Sequence, residues 1–191
     1  MGYEGVKFKT VLIARILPGD KRIDNLRYWC REFARNNLAP RYDGGSFGNL
    51  SFRVSSGENR FIITASGVDL GGVLDEDCFC EVRDVDLKKR IVYASGKNEP
   101  SSESMLHCAI YNKRPDVMAI FHGHFDMASE IWKKGIPITK NEAPYGTIEL
   151  VNEVISIVHR GDFLIMKNHG FLSLGKSMDD AGKLALEICC Q

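Results

Sequence analysis

Short apolar runs alternate with stretches of helical period along the whole chain, and this alternation restricts the fold more than any other feature. Leu50 to Val54 and Arg60 to Thr64 read as two strands around a Ser-Ser-Gly turn, and Cys78 to Val85 with Ile91 to Ala94 as another pair. Asp20 is placed to cap a helix carrying Ile23, Leu26, Cys30, Phe33 and Asn37 near helical spacing, which ends before Pro40. Pro100-Ser101-Ser102-Glu103 is a helix start, with serines able to cap free N–H groups, and the helix runs to about Lys113. Val117 to Phe121 is a short continuous apolar strand that ends in His122-Gly123-His124. Further helices are expected through Ile131-Trp132, over roughly Thr147 to His159, and from near Ser177. Asp162 to Met166 and Phe171 to Leu174 read as strands flanking Asn168-His169-Gly170. No repeat, low-complexity tract or linker interrupts the pattern, so one domain over residues 1–191 is expected.

Composition excludes several classes of function. Lys+Arg is 25 and Asp+Glu is 25, a balance that argues against a general nucleic-acid or anionic-membrane binder. No apolar run approaches a membrane span. Val11 to Leu17 is short, broken by Arg15 and followed by Pro18-Gly19-Asp20, which argues against a leader peptide. None of the six cysteines forms a CxxC pair, so reduced thiols in a cytoplasmic protein are expected, most of them as small buried hydrophobes.

His122 and His124 are alternate residues at a strand end, so their imidazoles can face one ion; His169 lies in a second strand-end turn. Three neutral nitrogens with an open position describe a catalytic zinc site, and the residues alone leave equally open that these are unrelated polar groups. Glu103 is either a first-turn acid favoured by the helix dipole or a general base aimed at a substrate. His107, one turn later, supports Glu103 or packs on the helix, and His159 is structural. Gly45 to Asn49, Thr64 to Gly67 and Ser101-Ser102 each offer N–H groups, hydroxyls or an amide to an anion, though such a segment taken singly is more often just a turn. Neither GxxxxGK[ST] nor GxGxxG is present. The Lys88-Lys89-Arg90 run reads as a solvated turn.

In combination and order these segments resemble the class II aldolase/adducin family. Gly45-Ser46-Phe47-Gly48-Asn49-Leu50-Ser51 is similar to its G-T-S-G-N-hydrophobic-S turn, and Ile63-Thr64-Ala65-Ser66-Gly67 to its I-T-P-S/T-G loop. Pro100-Ser101-Ser102-Glu103 matches P-S-S-E, and Arg114-Pro115-Asp116 leading to His122-Gly123-His124 resembles R-P-D … H-x-H. Pro144-Tyr145 with Thr147 and Glu149-Leu150 resembles P-Y … T-x-E-L, and Asn168-His169-Gly170 resembles the turn around the family's third histidine. The resemblance implies an α/β domain with a mainly antiparallel central sheet flanked by helices. It implies one divalent metal ion, usually zinc, on His122, His124 and His169, with Glu103 completing the metal shell and then acting as the base. It implies a phosphate held by Asn49, Ser66, Gly67, Ser101 and Ser102, and a homotetramer with sites at subunit interfaces.

The activity so implied is retro-aldol cleavage of a small phosphorylated ketose through a metal-stabilised enediolate. A sugar-phosphate 4-epimerase or a methylthioribulose-1-phosphate dehydratase would use the same site, and an adducin-head-like interaction module would lack the metal set. Three departures stand out. Members that cleave fuculose phosphate carry a proton-donating tyrosine between H-x-H and P-Y, whereas Phe125 to Ala143 is short and holds none. The chain stops at Gln191 soon after its last helix, so a mobile covering tail is expected to be missing. Phe47 stands where a small residue is usual, so an altered phosphate pocket is expected.

Overall fold

The computed structural model describes residues 5–125 and 135–190. Among these residues ten strands and four α-helices follow in the order β1 (Lys9–Ala14), α1 (Ile23–Arg35), β2 (Arg41–Tyr42), β3 (Gly45–Ser46), β4 (Asn49–Arg53), β5 (Phe61–Thr64), β6 (Phe79–Asp86), β7 (Ile91–Ser95), α2 (Ser104–Lys113), β8 (Ala119–Gly123), α3 (Ile148–Ile155), β9 (Phe163–Met166), β10 (Gly170–Gly175) and α4 (Met178–Cys189). Eight strands form one sheet in the order β1-β7-β6-β5-β4-β8-β10-β9, while β2 and β3 pair as a small hairpin. The sheet is antiparallel except where β1 joins β7 in parallel. The expected α/β class with a mainly antiparallel sheet is therefore observed.

Both faces of this sheet are covered. Ile23, Leu26, Trp29 and Phe33 of α1, with Ala181 and Ala185 of α4, pack over Leu50, Phe52, Ile62 and Phe121. On the other face Leu106, Ile110, Leu150 and Val154 of α2 and α3 pack over Phe61, Ile63, Val82 and Ile120. Covering both faces explains why β4, β5 and β8 are buried at every residue and lack the alternation of a half-exposed strand. Aromatic rings lock the first layer: Phe33 meets Phe121 edge-on at 5.5 Å, and Phe163 stacks on Phe171 at 4.9 Å.

The most unusual core member is Arg53, 1 % exposed. Its guanidinium donates to the carbonyls of Val117, Glu58, Tyr111 and Arg114 and lies 4.6 Å from the centre of the Tyr111 ring. It thereby ties the end of β4 to the turn between α2 and β8. Arg53→Met removes every one of these donors and leaves the buried carbonyls unpaired, so it is expected to destabilise the fold by about 3 kcal/mol or more. Urea unfolding measures this, and a loss under about 1 kcal/mol would contradict the account. The Arg114-Pro115-Asp116 motif is likewise a brace: Arg114 pairs with Asp116 and Asp162 at 2.7 Å each and donates to the Val158 carbonyl.

Several local expectations change. Val11 to Leu17, weighed above only as a leader, supplies the end of β1. Asp20 does not cap α1 with its side chain; Arg22 holds the cap position, and Asp20 instead accepts from the Arg22 N–H and guanidinium. Helix α2 begins after Glu103, and the serines cap it less than expected: Ser101 Oγ accepts only from Glu103 N, at 3.3 Å, while Ser104 Oγ turns back to the Ser101 carbonyl. α3 ends at Ile155, short of His159, which is exposed in the turn that follows. Thr147 and Ser177 cap α3 and α4 by accepting from Leu150 N and Asp180 N. Lys88 to Arg90 form an exposed turn between β6 and β7, as expected. The helix expected through Ile131-Trp132 lies outside the described residues.

Candidate metal centre and its cavity

Strand register assembles the site. His122 of β8 is flanked by Asn49 of β4 on one side and Leu172 of β10 on the other, so Asn49 and His122 stand side by side on one face. Glu103, at the cap position of α2, rises to meet them, and His169 sits in the turn between β9 and β10. Its neighbour Asn168 takes a left-handed conformation, φ 57°, and donates to Glu142 at 2.8 Å, which fixes the turn. Gly170 is needed for close approach: a Cβ there would lie 2.4 Å from the Gly123 carbonyl oxygen and 3.0 Å from the His122 ring.

The metal-binding atoms of His122, His124 and His169 all lie within 4.8 Å of one another. His122 Nδ1 is 2.8 Å from the Phe171 carbonyl, which accepts its proton and leaves a lone pair on Nε2. That Nε2 faces His124 Nε2 at 3.1 Å, and two lone pairs at such a distance need a proton or a cation between them. Two nitrogen ligands of a tetrahedral zinc stand roughly 3.3 Å apart. Glu103, 2 % exposed, lies 3.2 Å from both His122 Nε2 and His169 Nε2, and its Oε2 accepts from the Asn49 amide at 3.0 Å. Its Oε1 is buried with no hydrogen-bond partner, as is Asn49 Oδ1. Converging imidazoles beside a buried carboxylate fit a divalent ion. None of the free cysteines belongs to this group; burial pushes the Cys80 thiol up to about 12 and that of Cys108 to about 11.

Electrostatics agree with that fit. Burial holds His122 and His124 below the ordinary histidine range, which favours the neutral ligand form. At His169 burial is opposed and overcome by the Glu103 carboxylate, which raises it. Burial likewise works to raise Glu103, but the surrounding imidazoles and the Asn49 amide win and keep it ionised. His107 does not support Glu103 with its ring. Its Nδ1 bonds Ser51 Oγ at 2.7 Å, Ser51 bonds Tyr111 Oη at 2.8 Å, and burial pushes the imidazole down to about 3.

These groups line a cavity of about 570 Å³. Ser66, Gly67, Ser101 and Ser102 form part of its wall, so all the expected phosphate residues meet there. Their donors are fewer than expected, however. Ser66 N–H is taken by the Glu99 carbonyl at 2.9 Å and Ser101 N–H by the Thr64 carbonyl at 3.1 Å, while the Asn49 amide serves Glu103. The two glycine-bearing turns are pressed together, since a Cβ on Gly45 would lie 2.8 Å from the Gly67 carbonyl carbon. Phe47 packs against Tyr42 at 4.9 Å and against His124 at 5.2 Å, making an aromatic shelf beside a histidine of the cluster.

The family signature covers this whole assembly: the class II aldolase and adducin N-terminal domain matches residues 24–189. The chain belongs to the class II aldolase/adducin family. An L-fuculose phosphate aldolase of Methanococcus maripaludis is 34 % identical over 157 residues, covering 74 % of this chain and 79 % of that protein. A methylthioribulose-1-phosphate dehydratase of Leptospira biflexa is 30 % identical over 170 residues, covering 71 % and 79 %. Among solved structures, an L-fuculose 1-phosphate aldolase superposes with a TM-score of 0.70 at 23 % identity, covering 90 % of this chain and 83 % of that one.

Within that family frame, sequence reading missed Lys7, Tyr42 and Glu142, which also line the cavity. The alternation Val6-Lys7-Phe8, with one charge between two apolar residues, was the available signal for the first. No local pattern marks the other two. No helix among the described residues is long and apolar enough to cross a membrane.

Proposed function

We propose that this chain, as one domain over residues 1–191, is a divalent-metal-dependent lyase that cleaves a small phosphorylated ketose by retro-aldol reaction. His122, His124, His169 and Glu103 hold the ion in this reading, and zinc is the metal that suits three imidazoles. The reading rests above all on one observation: three imidazole nitrogens converge to within 4.8 Å of one another, two of them 3.2 Å from the buried Glu103 carboxylate. When bound, the ion supplies Lewis-acid stabilisation of the negative charge that develops on the substrate's oxygens.

The chain's own residues do the rest. Glu103 carries the proton exchanged with the reacting carbon, and the Asn49 amide orients its carboxylate. Ser66, Gly67, Ser101 and Ser102, with Asn49 at their edge, position the phosphate so that the carbon to be cleaved reaches Glu103. Walls formed by Phe47, Val68, Leu70 and Ala143 keep water from the charge that builds there. The protein acts as a homo-oligomer, a tetramer by family resemblance, in the cytoplasm.

A panel of ketose 1-phosphates offered to the metal-loaded protein tests the proposal. Release of dihydroxyacetone phosphate and an aldehyde in equal amounts supports it. Loss of water without fragmentation would replace it with the dehydratase reading, which the Leptospira biflexa relative favours. Inversion at carbon 4 would make the protein an epimerase.

A further inference from the structure

The cavity has one lysine or arginine among its described lining residues, and that residue comes from outside the segment that carries the family signature. Val6 packs against the apolar layer beneath α2 and α3, and Phe8, 8 % exposed, belongs to it. With these two flanks directed into the core, Lys7 faces the cavity. The backbone there is fixed: Lys9 N–H donates to the Arg90 carbonyl at 2.9 Å, and β1 continues beside β7.

The lysine reaches one particular part of the cavity. Its Nζ stands 4.1 Å from the centre of the Tyr145 ring, which orients the ammonium at this end of the cavity. A Cβ placed on Gly146 would lie 3.0 Å from the Ser102 carbonyl oxygen and 3.5 Å from Lys7 Cβ. The lysine stem therefore enters beside the serine turn. At that end the N–H groups of Ser66 and Ser101 are taken by the Glu99 and Thr64 carbonyls and the Asn49 amide donates to Glu103, so an anion there gains from a cationic side chain. Glu103 and Glu142 line the same cavity, so an incoming dianion meets two carboxylates.

We propose that Lys7 determines specificity for a phosphate monoester, its ammonium pairing with the phosphate oxygens beside the hydroxyls of Ser101 and Ser102. This rests on the proposed function for where the phosphate sits, and it does not depend on the metal.

Inorganic phosphate is the probe, titrated into the full-length protein and followed by calorimetry. Lys7→Gln is expected to weaken binding about tenfold or more, and Lys7→Arg to stay within about threefold of the native protein. With a phosphorylated ketose that is turned over, Lys7→Gln raises KM while kcat changes little, and bound metal is unaltered. Equal phosphate affinity in Lys7→Gln and native protein, or no phosphate binding by the native protein, would overturn the proposal. So would a fall in kcat at constant KM, which a merely structural contact with Tyr145 would give. Tighter binding of malonate than of phosphate, abolished by the same substitution, would assign the charge to a carboxylate and also overturn it. If no divalent ion binds and no ketose phosphate is cleaved, yet Lys7→Gln still loses phosphate, the proposed reaction fails and the role of Lys7 stands.

Discussion

Glu103→Gln is expected to lower kcat by about two to four orders of magnitude while leaving the protein folded and its metal content close to native. The amide is nearly isosteric with the carboxylate, so the contact with Asn49 survives. What it lacks is the ability to hold and return a proton. Glu103 is buried at the cavity wall and held ionised by the neighbouring imidazoles and the Asn49 amide, so its deprotonated form faces the substrate. KM should change far less than kcat, because the carboxylate acts on the reacting carbon and not on the phosphate. Steady-state kinetics with metal analysis on the same sample decide the matter. A variant within about tenfold of native kcat would remove Glu103 from the chemistry, and complete loss of metal would mean that the three imidazoles do not hold the ion without the carboxylate.

The second large effect is expected for His122→Ala. Removing this imidazole takes away the nitrogen that faces both His124 and Glu103, together with the hydrogen bond to the Phe171 carbonyl. Bound divalent ion should fall from about one equivalent to near zero. With it goes several kcal/mol of charge stabilisation, or about a thousandfold in kcat/KM. The lost hydrogen bond costs roughly 1 kcal/mol of stability, so the variant should still fold and its circular dichroism should match native protein. Undiminished metal binding by His122→Ala would mean that the imidazoles gather for another reason.

What the sequence made legible follows from where information is local. The ends of β8 and β9 are readable because the run before His122 and that from Phe163 to Met166 are continuously apolar, as strands covered on both faces must be. Pairing of Asn49 with His122 was not readable, since strand register across a long connection leaves no local trace. β1 escaped notice because it is a parallel edge strand with Ile13 more than half exposed, so it lacks the alternation that marks a half-buried strand. Lys7 was hidden with it. The three turns expected to hold phosphate do meet in one cavity, but which of their N–H groups are consumed depends on how the turns brace each other. Glu99 and Thr64 carbonyls take two of them, and no spacing rule reveals that. The same holds for Arg53, a lone charge within the strand from Leu50 to Val54, whose role as a buried strut depends on carbonyls brought to it from α2 and the turn that follows.

Phe47 illustrates a middle case. Its departure from the family turn was visible and implied a changed phosphate pocket, yet its ring packs on Tyr42 and His124. Its bulk therefore bears on the space beside the histidine cluster.

Deuterium exchange tests the central claim most directly, because it does not require knowing the aldehyde. In deuterium oxide, the zinc-loaded protein is predicted to exchange one hydroxymethyl hydrogen of dihydroxyacetone phosphate, seen as loss of proton signal by NMR. Exchange should vanish with a chelator, return with zinc, and be absent in Glu103→Gln. No exchange by the metal-loaded native protein, or exchange that proceeds equally in Glu103→Gln, would contradict a lyase built on His122, His124, His169 and Glu103.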